Sequence, residues 1–467
     1  MPTPSLRLAR AATGELAEAL AAIPLELGLS RDFPADVLAA IPQPALPDLD
    51  LTHLEFVTVD PEGATDLDQA FLLERADEPG AGGGYRVYYA IAWVAGFVEP
   101  GGAIDAEARR RGQTIYAPDG RIPLHPEALS EDAASLLPGV DRGAYVWDFS
   151  LDADASVTSF SVRLATIRSR KQLTYETVDI PLLKEIGEKR IALERARGGA
   201  SLTLPETEIV EEDGAYTLVR RQPLPAEAWN AQLSLMTGMA AAELMLGARV
   251  GILRTMPPAP SDAVEEFRLR TEALGHPWPI DQPYGDFLRS LALDDPAQLA
   301  IMHAAASLFR GAGYTVFDGA VPEITTQAAV AAPYAHATAP LRRLVDRFAL
   351  AACEAISAGR PVPEWVRSAL PTLPPVMSAS GAVAGQVDRR AIDTVEAALL
   401  RPHIGSIFDA TVISARATSG TIQLASPAVS ASCDGELIAG SHIRARLDVA
   451  DVATATVRFT AVEDAPV

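Results

Sequence analysis

Three aspartates stand within one short stretch, FVTVDPEGATDLDQAF over Phe56–Phe71: Asp60, Asp66 and Asp68. The β-branched and aromatic residues before Asp60 read as a strand, Pro61–Gly63 as a turn, and Asp66 and Asp68 as the start of a second strand. Residues two apart on extended chain share a face, so the last two carboxylates project together and can converge with that of Asp60. Such a group repels itself unless a divalent cation lies within it, and hard oxygen ligands suit Mg²⁺. Aspartates also cap turns for purely local reasons, which is the plainer account of any one of them. An EF-hand loop is excluded, because Gly63 is misplaced and no glutamate stands at the twelfth position.

Two further stretches concentrate polar chemistry. In YAHATAPLRRLVDRF (Tyr334–Phe348), Pro340 reads as a helix start with Leu341, Leu344, Val345 and Phe348 on the buried stripe. That reading puts Arg342 and Arg343 in the first turn, where the helix dipole disfavours a cation by roughly 0.3–1 kcal/mol and an anion would compensate. Asp346, four residues after Arg342, could equally satisfy one arginine by itself. In RRRGQTIYAPDGRIPL (Arg109–Leu124), Tyr116 lies in a Pro/Gly-rich loop flanked by arginines, a composition able to stack an unpaired base. An isolated loop tyrosine is more often plain surface. The seven histidines are scattered without the spacing of a triad or a metal site.

Composition sets the frame. At 467 residues the chain is too long for one ordinary core, and 48% hydrophobic against 21% charged residues excludes a disordered chain. Cys353 and Cys433 lie far apart, which excludes a disulfide framework and a structural zinc site. The start lacks the apolar core of a secretory signal, and Ala231–Leu253 is interrupted by Gln232, Glu243 and Arg249. The expectation is a cytoplasmic monomer with no membrane segment and no stable protein partner. A net charge of −22 opposes polyanion binding overall, but arginines cluster at Arg109–Arg111 with Arg121, at Arg163–Lys171, at Arg342–Arg347 and at Arg389–Arg390. An acidic shell with basic interior stretches fits a channel that takes a strand end-on.

Along the chain, residues 1 to about 50 read as short helices, with Leu16, Leu20 and Ile23 on one face, a break at Pro24, a restart after Pro34 and a Pro-rich linker. Strands follow from Leu54, including a hairpin with a Gly-rich tip, GAGGGY, and another turning at Asp152–Ala155. Helical periodicity runs from Trp229 to about Arg401, and short strands from Ile404 suit a small five-stranded barrel.

The Asp60–Asp68 stretch resembles the metal-binding signature of the ribonuclease II (RNB) family of exoribonucleases. The likeness continues in order through YAPDGRIPLHPEALS (Tyr116–Ser130), SLLPGVDR (Ser135–Arg142), IRSRKQLTYETV (Ile167–Val178), LTLPE (Leu202–Glu206), YAHATAPLRR (Tyr334–Arg343) and VDRRAID (Val387–Asp393). It implies an α+β multidomain chain: a short helical module over 1–50, possible in helix-turn-helix form, a mixed α/β RNB catalytic domain over 51–401, and an OB-fold-like RNA-binding barrel over 402–467. It implies a Mg²⁺-dependent 3′→5′ exoribonuclease acting on single-stranded RNA and releasing 5′-nucleoside monophosphates. By position, Asp60, Asp66 and Asp68 match the family's metal-site aspartates, with Asp68 the most critical for hydrolysis. Arg342 matches the arginine on the scissile phosphate, Tyr116 the aromatic on the 3′-terminal nucleotide, and Asp388 a glutamate that holds the end nucleotide; Arg343 joins the RNA-binding set beside Arg342.

This chain departs from the family pattern in several places. Gln69 stands where most members carry a fourth aspartate, Trp93 where an aspartate is frequent, and Ala339 where a serine precedes the proline. The usual pair of N-terminal cold-shock folds does not fit into about 50 residues. The tail from Pro402 sets four arginines against seven acids, a poor electrostatic clamp. Gln69 therefore motivates an alternative: a catalytically silent RNA-binding protein on the same fold.

Overall fold

In the computed structural model the acidic stretch opens a closed five-stranded barrel. The description covers residues 7–8, 14–76, 83–117, 120–200, 206–212, 215–221, 223–292, 295–305, 308, 310–424 and 429–462. The Gly-rich tip at 77–82, positions 118–119 of the tyrosine loop and residues 202–205 of the LTLPE stretch lie outside the described residues.

The barrel strands are Phe56–Asp60, Gln69–Ala76, Gly84–Ala92, Asp141–Leu151 and Val157–Thr174, neighbours in that order, and the first closes the circle by pairing parallel with the last. Side chains alternate strictly along the central strands. Tyr85, Val87, Tyr89 and Ile91, with Tyr145, Trp147 and Phe149, form one buried face; Tyr88, Ala90, Ala92, Ala144 and Val146 form the other. Both faces are apolar, so a one-residue slip in register would place large aromatics where alanines pack. The aromatic face is covered by the helices Pro225–Ala248 and Leu344–Ser357, through Leu233, Met236, Leu344, Val345 and Phe348. The hairpin at Asp152–Ala155 forms as expected, with Asp152 Oδ1 accepting the amides of Asp154 and Ser156 at 3.0 and 2.8 Å.

Two expectations fail locally. Strands Val250–Thr255 and Gly313–Asp318 pair antiparallel inside the stretch that reads as helical. A short apolar run has no periodicity that separates a buried strand from a buried helix turn. The first helix, Glu15–Glu26, runs through Pro24 without breaking. The proline falls in the final turn, where it removes a single helix bond before the chain leaves anyway.

Leu16, Leu20 and Ile23 of that helix share one buried cluster with Val387, Ala391 and Val395 of the long helix Leu373–Leu400, and with Ile115, Ala117 and Ile122. The terminal strands close the expected second five-stranded barrel, with Ser430–Asp434 and Thr456–Val462 its parallel pair. Its Val452 joins the cluster around the long helix. Among the described residues no helix is long and apolar enough to cross a membrane.

Candidate active site

The acidic loop is tied down by its own backbone. Leu67 is fully buried; its amide donates to Ser135 Oγ at 3.0 Å and its carbonyl accepts from Leu136 at 3.0 Å. Ala92 N–H donates to the Asp68 carbonyl at 2.9 Å, which holds Asp68 at the end of the barrel ladder. The Asp68 side chain is then aimed inward and is 6% exposed. Its Oδ1 accepts the Leu341 amide at 2.8 Å, and its Oδ2 lies 3.7 Å from Arg342 Nε.

Burial pushes the Asp68 carboxyl well above its ordinary value, opposed by Arg342 and the Leu341 amide and reinforced by Asp66 and Asp346. Asp60 ends its strand beside them. Burial, with Asp66 adding to it, pushes Asp60 up to about 7 even though the Thr58 hydroxyl and Arg342 work the other way, and Asp60 Oδ2 is buried without a hydrogen-bond partner.

Asp66 is held differently. Arg121 Nη1 donates to its Oδ1 at 2.8 Å while Nη2 reaches Thr65 Oγ1 and Glu131. Asp66 bears on the charge of both Asp60 and Asp68, but among the described residues no group of three His, Cys, Asp or Glu side chains is gathered as a metal-holding set. The convergence expected from the spacing is thus incomplete, because a counter-ion supplied by Arg121 draws Asp66 aside. Gln69 begins the second strand, and its amide is occupied at both ends: Nε2 donates to the Thr338 carbonyl at 2.7 Å and Oε1 accepts the Tyr89 hydroxyl.

The arginine segment differs from its sequence reading. The helix starts at Leu344, and Pro340–Arg342 form a turn ahead of it, so neither arginine sits in a first helical turn. The reason is Asp346, fully buried, whose Oδ1 accepts the amides of Thr338 and Ala339 at 2.8 Å each and pulls the preceding chain back over the helix end. Asp346 also satisfies Arg343, at 2.9 and 2.8 Å, rather than Arg342. Leu341 packs in the cluster on the alanine face of the barrel, apart from Leu344, Val345 and Phe348. Gly238 makes room for this segment: a Cβ there would lie 2.2 Å from the Tyr334 ring and 2.7 Å from the Ala335 carbonyl.

Tyr116 arrives on a hairpin, Ile115–Ala117 paired with Gly120–Ile122. Thr114 N–H donates to the Arg342 carbonyl at 2.9 Å and Leu344 N–H to the Gly112 carbonyl at 3.0 Å, so the hairpin's base is laced to the arginine turn. Ile115 and Ala117 point into the helix cluster, which leaves Tyr116 facing out, 38% exposed. Burial of its hydroxyl raises the Tyr116 pKa, and the charges of Arg342, Asp66 and Asp68 are all felt there. The structure thus brings Asp68 against Arg342, with Asp60, Asp66 and Tyr116 near enough for their charges to bear on one another's surroundings. Asp388 is not joined to them: among the described residues its carboxylate makes no hydrogen bond or ion pair, and burial raises it to about 6.

Two groups that spacing alone does not single out matter to the site. Arg121 clamps Asp66; its only signal is its place among the loop arginines. Buried His125, with its Nδ1 unpartnered, is pushed down to about 3 by burial and by the charge of Arg347, against the pull of the Pro340 carbonyl in the arginine turn, hence neutral.

A half-buried guanidinium, an outward-facing phenol and deep carboxylates form a surface suited to a phosphodiester. Comparison with known proteins agrees with that chemistry. Residues 49–355 match the family model of the RNB domain, and residues 406–462 that of the RNase II-type exonuclease C-terminal S1 domain. Ribonuclease R of Escherichia coli (strain K12) is 29% identical over 347 residues, covering 68% of this chain and 40% of that protein, so the chain spans less than half of that relative's length. The structure of Mycoplasma genitalium RNase R in complex with ribose methylated single-stranded RNA matches with a TM-score of 0.82 at 18% identity, over 96% of this chain and 78% of that one. Yeast Ssd1, a pseudonuclease, matches with a TM-score of 0.71 at 16% identity, over 92% of this chain and 57% of that one. At these identities the two structures speak for the fold alone.

Proposed function

Since the chain belongs to the RNB domain family, we propose that it is a 3′→5′ exoribonuclease that hydrolyses single-stranded RNA to 5′-nucleoside monophosphates with a divalent metal, Mg²⁺. The observation that carries this reading is the meeting of Asp68 and Arg342, a deep carboxylate and a 38%-exposed guanidinium side chain held together through the Leu341 amide. Asp60, Asp66 and Asp68 would hold the metal. The fit rests on their hard oxygens, on the unpartnered Asp60 Oδ2, and on the burial that raises Asp60 and Asp68, a cost that a cation beside them would offset. When bound, such a metal activates a water and offsets charge developing on the phosphoryl oxygens. Arg342 orients the scissile phosphate and stabilises that charge from the protein side. Tyr116 stacks on the terminal base, and its hairpin, laced to Arg342, sets base and phosphate at a constant separation.

A second reading, an RNA-binding protein without hydrolysis, is motivated by the saturated amide of Gln69 and the Arg121 clamp on Asp66. Incubating the full chain with 5′-labelled poly(A) and Mg²⁺, with and without EDTA, distinguishes the two. Hydrolysis yields a ladder shortening from the 3′ end that EDTA abolishes; silent binding yields a retarded, intact band. Asp68→Asn is expected to abolish the ladder while RNA affinity changes by less than about tenfold, or ~1.4 kcal/mol. Equal loss of binding and cleavage in that variant would overturn the assignment of Asp68.

A further inference from the structure

On the flank of the catalytic barrel, a cavity of about 410 Å³ opens between the start of strand Val157–Thr174 and the helices Pro181–Ala196 and Pro225–Ala248. It shares no lining residue with the candidate active site. One wall carries two guanidiniums. Arg190 is 4% exposed; its Nη1 donates to the Ala155 carbonyl at 3.0 Å, but its Nε is buried with no partner. Arg197, just past the end of the first helix, has both Nε and Nη2 buried and unpartnered. Leu193 lies between them on the same helix face, and Phe160, Met236 and Met239 add apolar lining from the strand and the second helix.

Buried polar groups are nearly always hydrogen-bonded, and three unsatisfied guanidinium nitrogens around one cavity depart sharply from that rule. The local carboxylates do not resolve it. Buried Glu194 accepts from Gln232 Nε2 at 2.6 Å and its charge is felt by both arginines, yet it takes no hydrogen bond from these three nitrogens, and Glu243 is exposed. Burial, with the charge of Arg197 beside it, pushes Arg190 down to about 10. Arg190 therefore remains cationic at neutral pH, and the two guanidiniums together keep three donors to spare.

We propose that this cavity binds a small amphipathic anion, with a phosphate or carboxylate head on Arg190 and Arg197 and an apolar or aromatic body against Phe160, Met236 and Met239. Planar guanidinium forks match the paired oxygens of either head group, and methionines adapt to bodies of varied shape. A bare inorganic anion would leave the apolar lining uncovered, which is why the ligand carries a body. The inference does not rest on the ribonuclease reading, since none of its residues belongs to that site.

The test is calorimetric titration of the full chain with AMP, with octanoate and with inorganic phosphate. Each is run on wild type and on Arg342→Ala, which removes phosphate binding at the candidate active site. At least one organic anion is expected to bind the Arg342→Ala protein more tightly than inorganic phosphate, AMP identifying a phosphate ester and octanoate an aliphatic carboxylate. That affinity should fall about tenfold or more in Arg190→Gln, and also in Met239→Trp, which fills the cavity while keeping both charges. Met239→Trp alone decides the matter if Arg190→Gln does not fold. Absence of binding by either organic anion to Arg342→Ala, or binding unchanged by Met239→Trp, overturns the proposal.

Discussion

Gln69, at the start of its barrel strand, has both ends of its amide occupied. Its amide spans from the Tyr89 hydroxyl to the Thr338 carbonyl, linking a barrel strand to the segment that leads into Arg342. An aspartate has no donor for that carbonyl, and Thr338 is 1% exposed, so Gln69→Asp leaves a buried acceptor unmet at about 1–3 kcal/mol. The expected outcome is a lowered Tm with the Mg²⁺ concentration for half-maximal cleavage unchanged. A clear fall in that concentration would place the side chain on the metal instead. Tyr116 sits at the other extreme, facing outward with its neighbours on the strand buried. Tyr116→Ala should weaken the hold on the terminal nucleotide by ~1–3 kcal/mol of stacking and change the length of the final undigested oligonucleotide. An unchanged limit product and rate would make Tyr116 ordinary surface.

At the scale of elements, helix ends and seams depend on buried carboxylates. Asp346 shifts the start of its helix to Leu344 by capturing the amides of the preceding turn. Glu396, on the long helix at the seam with the terminal barrel, is 8% exposed. Burial pushes it from an ordinary 4.5 up to about 8, Asp393 adds to this, and a hydrogen bond from the Ser430 backbone opposes it. The folded state therefore keeps a proton that the unfolded chain has already lost, and stability declines as pH rises from about 4.5 through about 8. Glu396→Gln keeps the neutral form at every pH. It is expected to match wild type near the acid end of that window and to exceed it above the window by up to roughly 5 kcal/mol, at about 1.4 kcal/mol per pH unit. Denaturant unfolding at the two ends checks this; parallel shifts at both would mean that the carboxyl is ionised in the folded state throughout.

Across the whole molecule, the terminal barrel is bound into the rest. Leu400, the last residue of the long helix, lies in the barrel's core, and Val452 of the barrel packs with Leu16, Ile115 and Val387. That same cluster supports the Tyr116 hairpin. Removing residues 404–467 is therefore expected to lower the Tm as well as to weaken binding of long RNA, with short oligonucleotides still cleaved below the new transition. An unchanged Tm would show the barrel to be an independent appendage, and loss of short-substrate cleavage in a folded truncate would make it part of the catalytic unit.

What the sequence determined by itself was local. β-branched runs broken by turn residues specified both sets of barrel strands, the spacing of Leu344, Val345 and Phe348 specified a buried helical stripe, and the aspartate stretch with its co-linear motifs specified the family. Tertiary structure alone decided the partners. Asp68 meets Leu341 and Arg342 across a separation of 273 residues to the first of them, Arg121 reaches back 55 residues to Asp66, and Arg343 rather than Arg342 takes Asp346. Period and turn chemistry arise between near neighbours and are written in the chain. A buried ion pair depends instead on which distant backbones pack together and how much water that packing excludes, and neither quantity exists before the fold does.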